Sequence, residues 1–424
     1  MQPLDLQRAS LFWGYRLQQF LHDEKGIDTA LQTRRRGPKV LLLALSLQRA
    51  ADITPLLRLD EEIALALKVS SVRLSRSFDQ FVVEVALPRE FHLSYSLDRV
   101  RRQVVTSGLE VPLGVSPLNK GVTVRLDDPG TPHMLIAGTT GCGKTTLMQA
   151  ILIQAMRQNG PDRLGVVLID IKNKPFTAFR GAAHLRHPVV TETREALAVL
   201  DCLAREARGD KPKETPHTIV GVDELAYLIN ETGGPRSAAA ALIGRIASVG
   251  REHGFTLLAG TQHANQEVIG GPMAAANFPA RVVGAVANAS QSQVASGQAG
   301  LKAERLLGKG DFLLVTNQDD PVRFQAPEIK PDDFALVERG AAKQLDIEVQ
   351  EAAGDETRAD PIDPRQVADV LWRRMAGEAS GITALARSWS VGSAKAGRVK
   401  AFSEDLEAAL LDKGLRIALP DQGL

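Results

Sequence analysis

Residues 134–145 read Met134-Leu135-Ile136-Ala137-Gly138-Thr139-Thr140-Gly141-Cys142-Gly143-Lys144-Thr145. Four apolar residues suited to a buried strand run into a glycine-rich loop, and the stretch from Thr146 to Met156 has the apolar periodicity of a helix. Gly-x-x-x-x-Gly-Lys-Thr between a strand and a helix is the phosphate-binding loop pattern. The glycines let the backbone curl so that amide groups and the helix N-terminus face phosphate. Lys144 would neutralise the β and γ phosphates, and Thr145 would hold Mg²⁺. Gly138, Thr139, Thr140, Gly141, Cys142, Gly143, Lys144, Thr145 and Thr146 are therefore the candidate ATP-binding residues. Cys142 reads either as a small filler of the loop or as a point where oxidation or alkylation would block the site.

Downstream, apolar runs at Val166–Ile169, Ile219–Val222, Thr256–Ala259 and Arg281–Ala287 alternate with helical stretches. That alternation predicts an α/β domain with a parallel sheet covered on both faces. The run ending at Val222 is followed by Asp223 and Glu224. Behind a phosphate loop, such a pair suits Mg²⁺ binding through water by Asp223 and polarisation of an attacking water by Glu224. Thr256–Ala259 leads into Gly260-Thr261-Gln262, which places the Gln262 amide beside a γ-phosphate, unless it is an ordinary turn residue.

Upstream, Trp13, Leu17, Phe20 and Leu21 fall on one helix face, and the basic run Arg34-Arg35-Arg36 reads as a solvated loop or a phosphate contact. Short strand-like runs at Val40–Leu47, Val72–Leu74, Phe81–Leu87 and Val122–Leu126 flank a helix-like Leu59–Lys68 and predict a small α+β domain. After Gly340 acidic residues dominate and apolar ones thin out, as in a mobile linker. Helical patterning resumes at Val367–Met375, Ile382–Ser388 and Ser393–Leu411, and the last two flank a turn at Gly392 in helix-turn-helix manner. The expected layout is a helical segment (1–36), a small α+β domain (37–127), the phosphate-loop domain (128–335), an acidic linker (336–364) and a C-terminal helix-turn-helix domain (365–424).

The composition sets limits on this reading. Among 424 residues, 51 basic and 50 acidic side chains leave a net charge of +1, so contact with nucleic acid would have to come from local patches. Two cysteines make no disulfide framework, and no apolar run approaches the ~20 residues of a membrane helix. A cytoplasmic protein without a membrane segment of its own is expected.

The extended motif His133–Thr145 resembles the nucleotide-binding segment of the FtsK/SpoIIIE DNA translocases. Val167-Leu-Ile-Asp170-Ile-Lys172, Val222–Ala226, Arg251–Gln262, Ala276–Arg281 and Leu306-Leu-Gly-Lys-Gly-Asp311 are similar to segments in the same order in that family. The resemblance covers roughly residues 37–327. It implies a RecA-like ATPase core and a homo-oligomeric ring, a hexamer, that couples ATP hydrolysis to movement of double-stranded DNA for chromosome transfer, conjugation or a mobile element. The alternative is a motor of the same superfamily that moves proteins in secretion.

In such rings Arg251 would reach a neighbour's γ-phosphate, unless it is a helix-end arginine bonding a carboxylate or carbonyl. The resemblance thus implies Lys144, Glu224, Arg251 and Gln262 as catalytic residues, and Arg281 matches a second family arginine. His263-Ala264 replaces the family's Arg-Pro. The C-terminal segment resembles the family's winged-helix domain, and Ser393, Lys395, Arg398 and Lys400 are the side chains expected to meet DNA.

Overall fold

The structure is a computed structural model that describes residues 6–77, 80–128, 133–172, 175–210, 216–262, 277–347, 364–375, 399–400 and 403. It divides into a large unit, Met1–Glu348, and a C-terminal unit, Val349–Leu424.

The large unit begins with a four-stranded antiparallel sheet. Strands β1 (Thr29–Arg36), β2 (Val40–Leu47), β3 (Val72–Ser77) and β4 (Gln80–Ala86) lie in the order β1-β2-β4-β3. The helices Leu6–Gln19 and Asp60–Leu67 pack on it through Trp13, Leu17, Ile63 and Leu67, with Leu43, Leu45, Val83 and Val85 beneath. The amphipathic face expected at Trp13, Leu17, Phe20 and Leu21 is buried as a whole. Arg34, Arg35 and Arg36 differ from expectation: they lie on β1, an edge strand, and not in a loop. Charged side chains are what keep an open edge from pairing with another chain.

The second sheet has nine strands. β5 (Glu110–Val115), β6 (Gly121–Arg125), β7 (Met134–Ala137), β8 (Leu164–Ile169), β9 (His217–Val222), β10 (Phe255–Thr261), β11 (Ala280–Val283), β12 (Asp311–Val315) and β13 (Val322–Gln325) take the order β6-β5-β13-β12-β11-β7-β10-β9-β8. Strands β11, β7, β10, β9 and β8 run parallel. The parallel sheet expected from the alternation is extended by β12, β13, β5 and β6, which add on antiparallel and make the whole sheet mixed. Within this part β5–β6 and β12–β13 are hairpins joined by residues 116–120 and 316–321, and such short connections allow an antiparallel neighbour whereas a parallel one needs a crossover.

Alternate residues of the parallel strands serve two cores, as strands buried on both faces require. Met134, Ile136, Val166, Leu168 and Leu258 join Leu147 and Ile151 of the helix Lys144–Gln158 on one face. Leu135, Val167, Val220 and Leu257 face the helices Thr193–Arg205, Leu225–Glu231 and Ala238–Val249 on the other. Each such leucine or isoleucine contributes about 1.5–3 kcal/mol by leaving water. Val111, Leu113, Val122 and Val124 lie in the first of these cores. The β5–β6 hairpin therefore packs with the phosphate-loop region, although its place in the chain groups it with the small domain.

The start of the acidic stretch is also held. Ala183 donates to Glu338, Gly340 to Gly181 and Lys343 to Leu185 through the main chain, and Val337 and Leu345 are buried. Backbone pairing and these two apolar anchors outweigh the local acidity.

In the C-terminal unit the helix Pro364–Met375 buries Val367, Val370 and Leu371 at i, i+3 and i+4 spacing. Val399 is buried, and its carbonyl accepts the Ser403 hydroxyl at 2.7 Å. Lys400 lies on helical backbone. The expected helix 382–388, Ser393, Lys395 and Arg398 lie outside the described residues. Among the described residues no helix is long and apolar enough to cross a membrane.

Candidate nucleotide site

Strand β7 delivers the chain to the C-terminal edge of the parallel strands, where the phosphate loop is stapled to its neighbours. Gly138 donates to the Thr261 carbonyl at 3.2 Å, and the Thr139 amide and hydroxyl both donate to the Ala285 carbonyl at 2.9 Å. Gly143 has φ +104°, and a Cβ there would stand 2.8 Å from the Gly310 nitrogen. Only glycine satisfies both the left-handed backbone and this close approach. The helix then starts at Lys144.

The residues singled out by spacing converge. Lys144 Nζ donates to Glu224 Oε2 at 2.9 Å, and Thr145 Oγ1 donates to Asp223 Oδ1 at 3.3 Å. The Gln262 amide nitrogen donates to Glu224 Oε1 at 2.9 Å, while the Thr140 hydroxyl donates to the Gln262 side-chain oxygen at 2.9 Å. Glu224 thus has one oxygen on the lysine and one on the strand that carries Gln262. Adjacent parallel strands cause this: β9 is followed by Asp223-Glu224, β10 ends at Thr261, and β7 lies beside β10.

Burial, above all, pushes the Asp223 carboxyl above the usual aspartate range, and the neighbouring charges of Asp170 and Glu224 add to the rise, against the pull of Lys144 and the Thr145 hydrogen bond. A carboxylate so short of positive charge, with a hydroxyl on one oxygen, fits a divalent cation. Among the described residues no group of three or more His, Cys, Asp or Glu could hold a metal. A cation here would need phosphate oxygens as well, the way Mg²⁺ is commonly bound with nucleotides.

Lys144, Thr145 and Gln262, which hold the two acids from one side, border on the other a cleft of about 460 Å³. One wall is residues 139–141 and 143–146 with Gln262, and the other is Lys309, Gly310 and Gln325 to Glu328. Spacing rules did not find the second wall, although Leu306–Asp311 stood out as a segment. They also missed Asp170, buried at the end of β8, whose signal was an acid directly after an apolar strand.

Cys142 is buried, and its sulfur lies 2.8 Å from where a Cβ on Gly138 would be and 2.9 Å from the same position on Gly284. It fills the loop's underside, and burial pushes its thiol up, away from the reactive thiolate.

Arg251 is not brought to this cleft. It sits in the short turn Gly250–His253 before β10, so the seven-residue strand separates it from Gln262 by about 20 Å at about 3.3 Å per residue. Arg281, on β11, donates to the main-chain carbonyls of Phe278 at 3.3 Å and Val294 at 3.5 Å, which ties the strand to the helix Ala289–Ser296.

Residues 93–211, which hold the phosphate loop and β8, match the model of the FtsK/SpoIIIE family. The chain resembles that family over this stretch. It is 27% identical over 379 residues to the DNA translocase FtsK of Borreliella burgdorferi, covering 81% of this chain and 46% of that protein. It is 29% identical over 325 residues to the DNA translocase FtsK of Staphylococcus aureus, covering 69% of this chain and 40% of that protein. The chain thus spans less than half the length of these relatives. Among solved structures, the pCW3 conjugation coupling protein TcpA, in its monomer form with ATPγS, superposes with a TM-score of 0.51 at 20% identity, covering 76% of this chain and 99% of that one. This is a likeness of fold.

Proposed function

We propose that the chain is an Mg²⁺-dependent ATPase that moves double-stranded DNA as a ring of identical subunits, a hexamer. The observation that carries the reading is the hydrogen-bonded cluster of Lys144, Thr145, Asp223, Glu224 and Gln262 at the phosphate loop, in a chain similar to proteins that are DNA translocases.

In this reading the loop amides and Lys144 hold the β and γ phosphates, and Thr145 and Asp223 hold Mg²⁺, which supplies charge neutralisation at the phosphates. Phosphate competes with Glu224 for the lysine ammonium. Glu224 Oε2, released from that ammonium, accepts a hydrogen bond from the attacking water and orients it in line with the γ-phosphorus. Gln262 is bonded to both Thr140 and Glu224, so loss of the γ-phosphate is felt at the end of β10. Arg251, remote from its own cleft, completes a neighbour's site in the ring and adds transition-state charge stabilisation there. Ser393, Lys395, Arg398 and Lys400 meet DNA from a helix-turn-helix in the C-terminal unit.

The test is ATP turnover with and without long duplex DNA, together with displacement of a third strand from a triplex. Stimulated turnover and displacement are expected. Turnover that long duplex DNA leaves unchanged, together with an undisplaced third strand, would overturn the reading.

A further inference from the structure

The far wall of the cleft is a turn in an unusual conformation. Gly308, Lys309 and Gly310 have φ of +66°, +50° and +90°, three left-handed residues in succession with a side-chain-bearing one in the middle. Such backbone persists only where its surroundings over-determine it. Here they do. Gly310 donates to the Cys142 carbonyl of the phosphate loop at 2.6 Å and accepts from the Ala326 amide at 2.7 Å. Asp311 Oδ2 accepts from the Leu307 amide at 2.7 Å, and Gln325 Nε2 donates to the Lys309 carbonyl at 3.1 Å.

Those contacts come from the nine-stranded sheet. Two more come from the other sheet, 270 residues earlier in the chain: Lys39 Nζ donates to the Gly308 carbonyl at 3.0 Å and to the Lys309 carbonyl at 2.8 Å. Lys39 immediately precedes β2, and its main-chain carbonyl accepts the Leu87 amide at 2.9 Å, so the stem of this side chain is anchored in the small sheet.

We infer that Lys39 is a positioning residue for the nucleotide cleft: from the small sheet, its ammonium holds the Gly308–Gly310 turn in the shape that forms the wall opposite the phosphate loop. The inference rests on the nucleotide reading of the cleft. Two carbonyls that both point at one ammonium lose their reason to adopt this turn when the charge is removed, and Gly310 abuts Gly143 closely enough that the loop cannot ignore a shift of the turn. The small sheet thereby sets how often the cleft is ready to take nucleotide. A ligand that binds only the ready form sees its apparent affinity fall by the fraction of molecules in that form.

A matched control exists in the same interface. Lys302 Nζ donates to the Leu57 carbonyl and to Asp60, both at 2.7 Å, and so joins the segment before β12 to the helices packed on the small sheet without lining the cleft. ADP with Mg²⁺ is titrated calorimetrically into the full chain, the Lys39→Met and Lys302→Met variants, and the Lys39→Arg variant, whose guanidinium can still reach both carbonyls. Thermal unfolding without nucleotide is followed in parallel, and Lys39→Gln replaces Lys39→Met if the latter does not fold.

Lys39→Met is expected to weaken ADP about tenfold, as a wall ready only about one tenth of the time would. Lys302→Met is expected to lower stability and leave ADP binding as in the parent, and Lys39→Arg to restore most of the affinity. Equal weakening by Lys39→Met and Lys302→Met would mean that any loosening of the two sheets suffices, and would overturn the proposal. Parental ADP binding by Lys39→Met would do the same. A parent chain that binds no ADP would overturn the nucleotide reading itself.

Discussion

Arg323 of β13 and Glu84 of β4 are ion-paired in the buried interface between the two sheets, 239 residues apart in sequence. Arg323 also holds Asp311 through two hydrogen bonds, of 2.8 and 2.6 Å, and Glu84 receives Arg73 on its other oxygen at 3.0 Å. Burial pushes the Glu84 and Asp311 carboxyls up, but the arginines outweigh it and hold both below their usual ranges. Both sheets therefore depend on one guanidinium.

Arg323→Leu should destabilise the chain by about 3–5 kcal/mol, the cost of leaving buried charge without its partner. The sign with pH follows from the depressed acids. Their contribution is complete above the unfolded-chain pKa of about 4 and is lost as pH falls through the lower folded values. The parent should thus weaken on acidification below about pH 4. In the variant Asp311 has lost the charge that depressed it, so lowering the pH from 7 to 5 should stabilise the variant. Urea unfolding at the two pH values reads both effects, and a variant with the parent's midpoint would contradict the account.

Asp223 has the opposite linkage. Its folded pKa lies above the unfolded one, so the folded chain holds the proton longer and stability falls as pH rises through that window, upward from about 4. Asp223→Asn should therefore stabilise the nucleotide-free chain at pH 7 by about 0.5–2 kcal/mol, with the gain shrinking toward pH 4. It should also remove the extra stabilisation that Mg²⁺ adds to ATP binding. Melting curves with and without Mg²⁺–ATP check both statements.

Glu224→Gln keeps the size of the side chain and one acceptor oxygen, enough for either Lys144 or the Gln262 main-chain amide, but loses its power to accept a proton. ATP binding should persist while turnover falls at least about 10²-fold, the lower end of what general-base removal costs. Filter binding beside single-turnover hydrolysis separates the two. Turnover within a few-fold of the parent would assign the base elsewhere.

Arg251→Ala and Lys144→Ala should each be inactive alone, yet their mixture should recover part of the turnover. In a mixed ring some clefts keep Lys144 from one subunit and gain Arg251 from the next. A mixture as inactive as its components would remove Arg251 from the neighbour's site.

The phosphate loop, the acids after β9 and the glutamine after β10 were legible because each follows an apolar strand, and parallel strands bring such positions to one edge. The strands β12 and β13 were not. Asp311 and Arg323 open or interrupt short apolar runs, and nothing local reveals that the two charges neutralise each other in the interior. The second wall of the cleft was hidden for the same reason, since it hangs from those two strands. Residues 337–347 looked like free linker because acidity is a local property, whereas their attachment to 181–185 is a backbone matter that composition does not record.

The last two strands of the large sheet, β12 and β13, lie in its interior, between β5 on one side and β11 on the other. During synthesis the β5–β6 hairpin emerges first and must wait for residue 325 before its neighbour exists. At about 5–20 residues per second that interval is about 10–40 s. Through it, β5 offers an unpaired edge beside its apolar face, which makes the newborn chain a natural client for whatever shields open strands. No ribosome-bound fragment that ends before residue 328 can carry a finished nucleotide cleft.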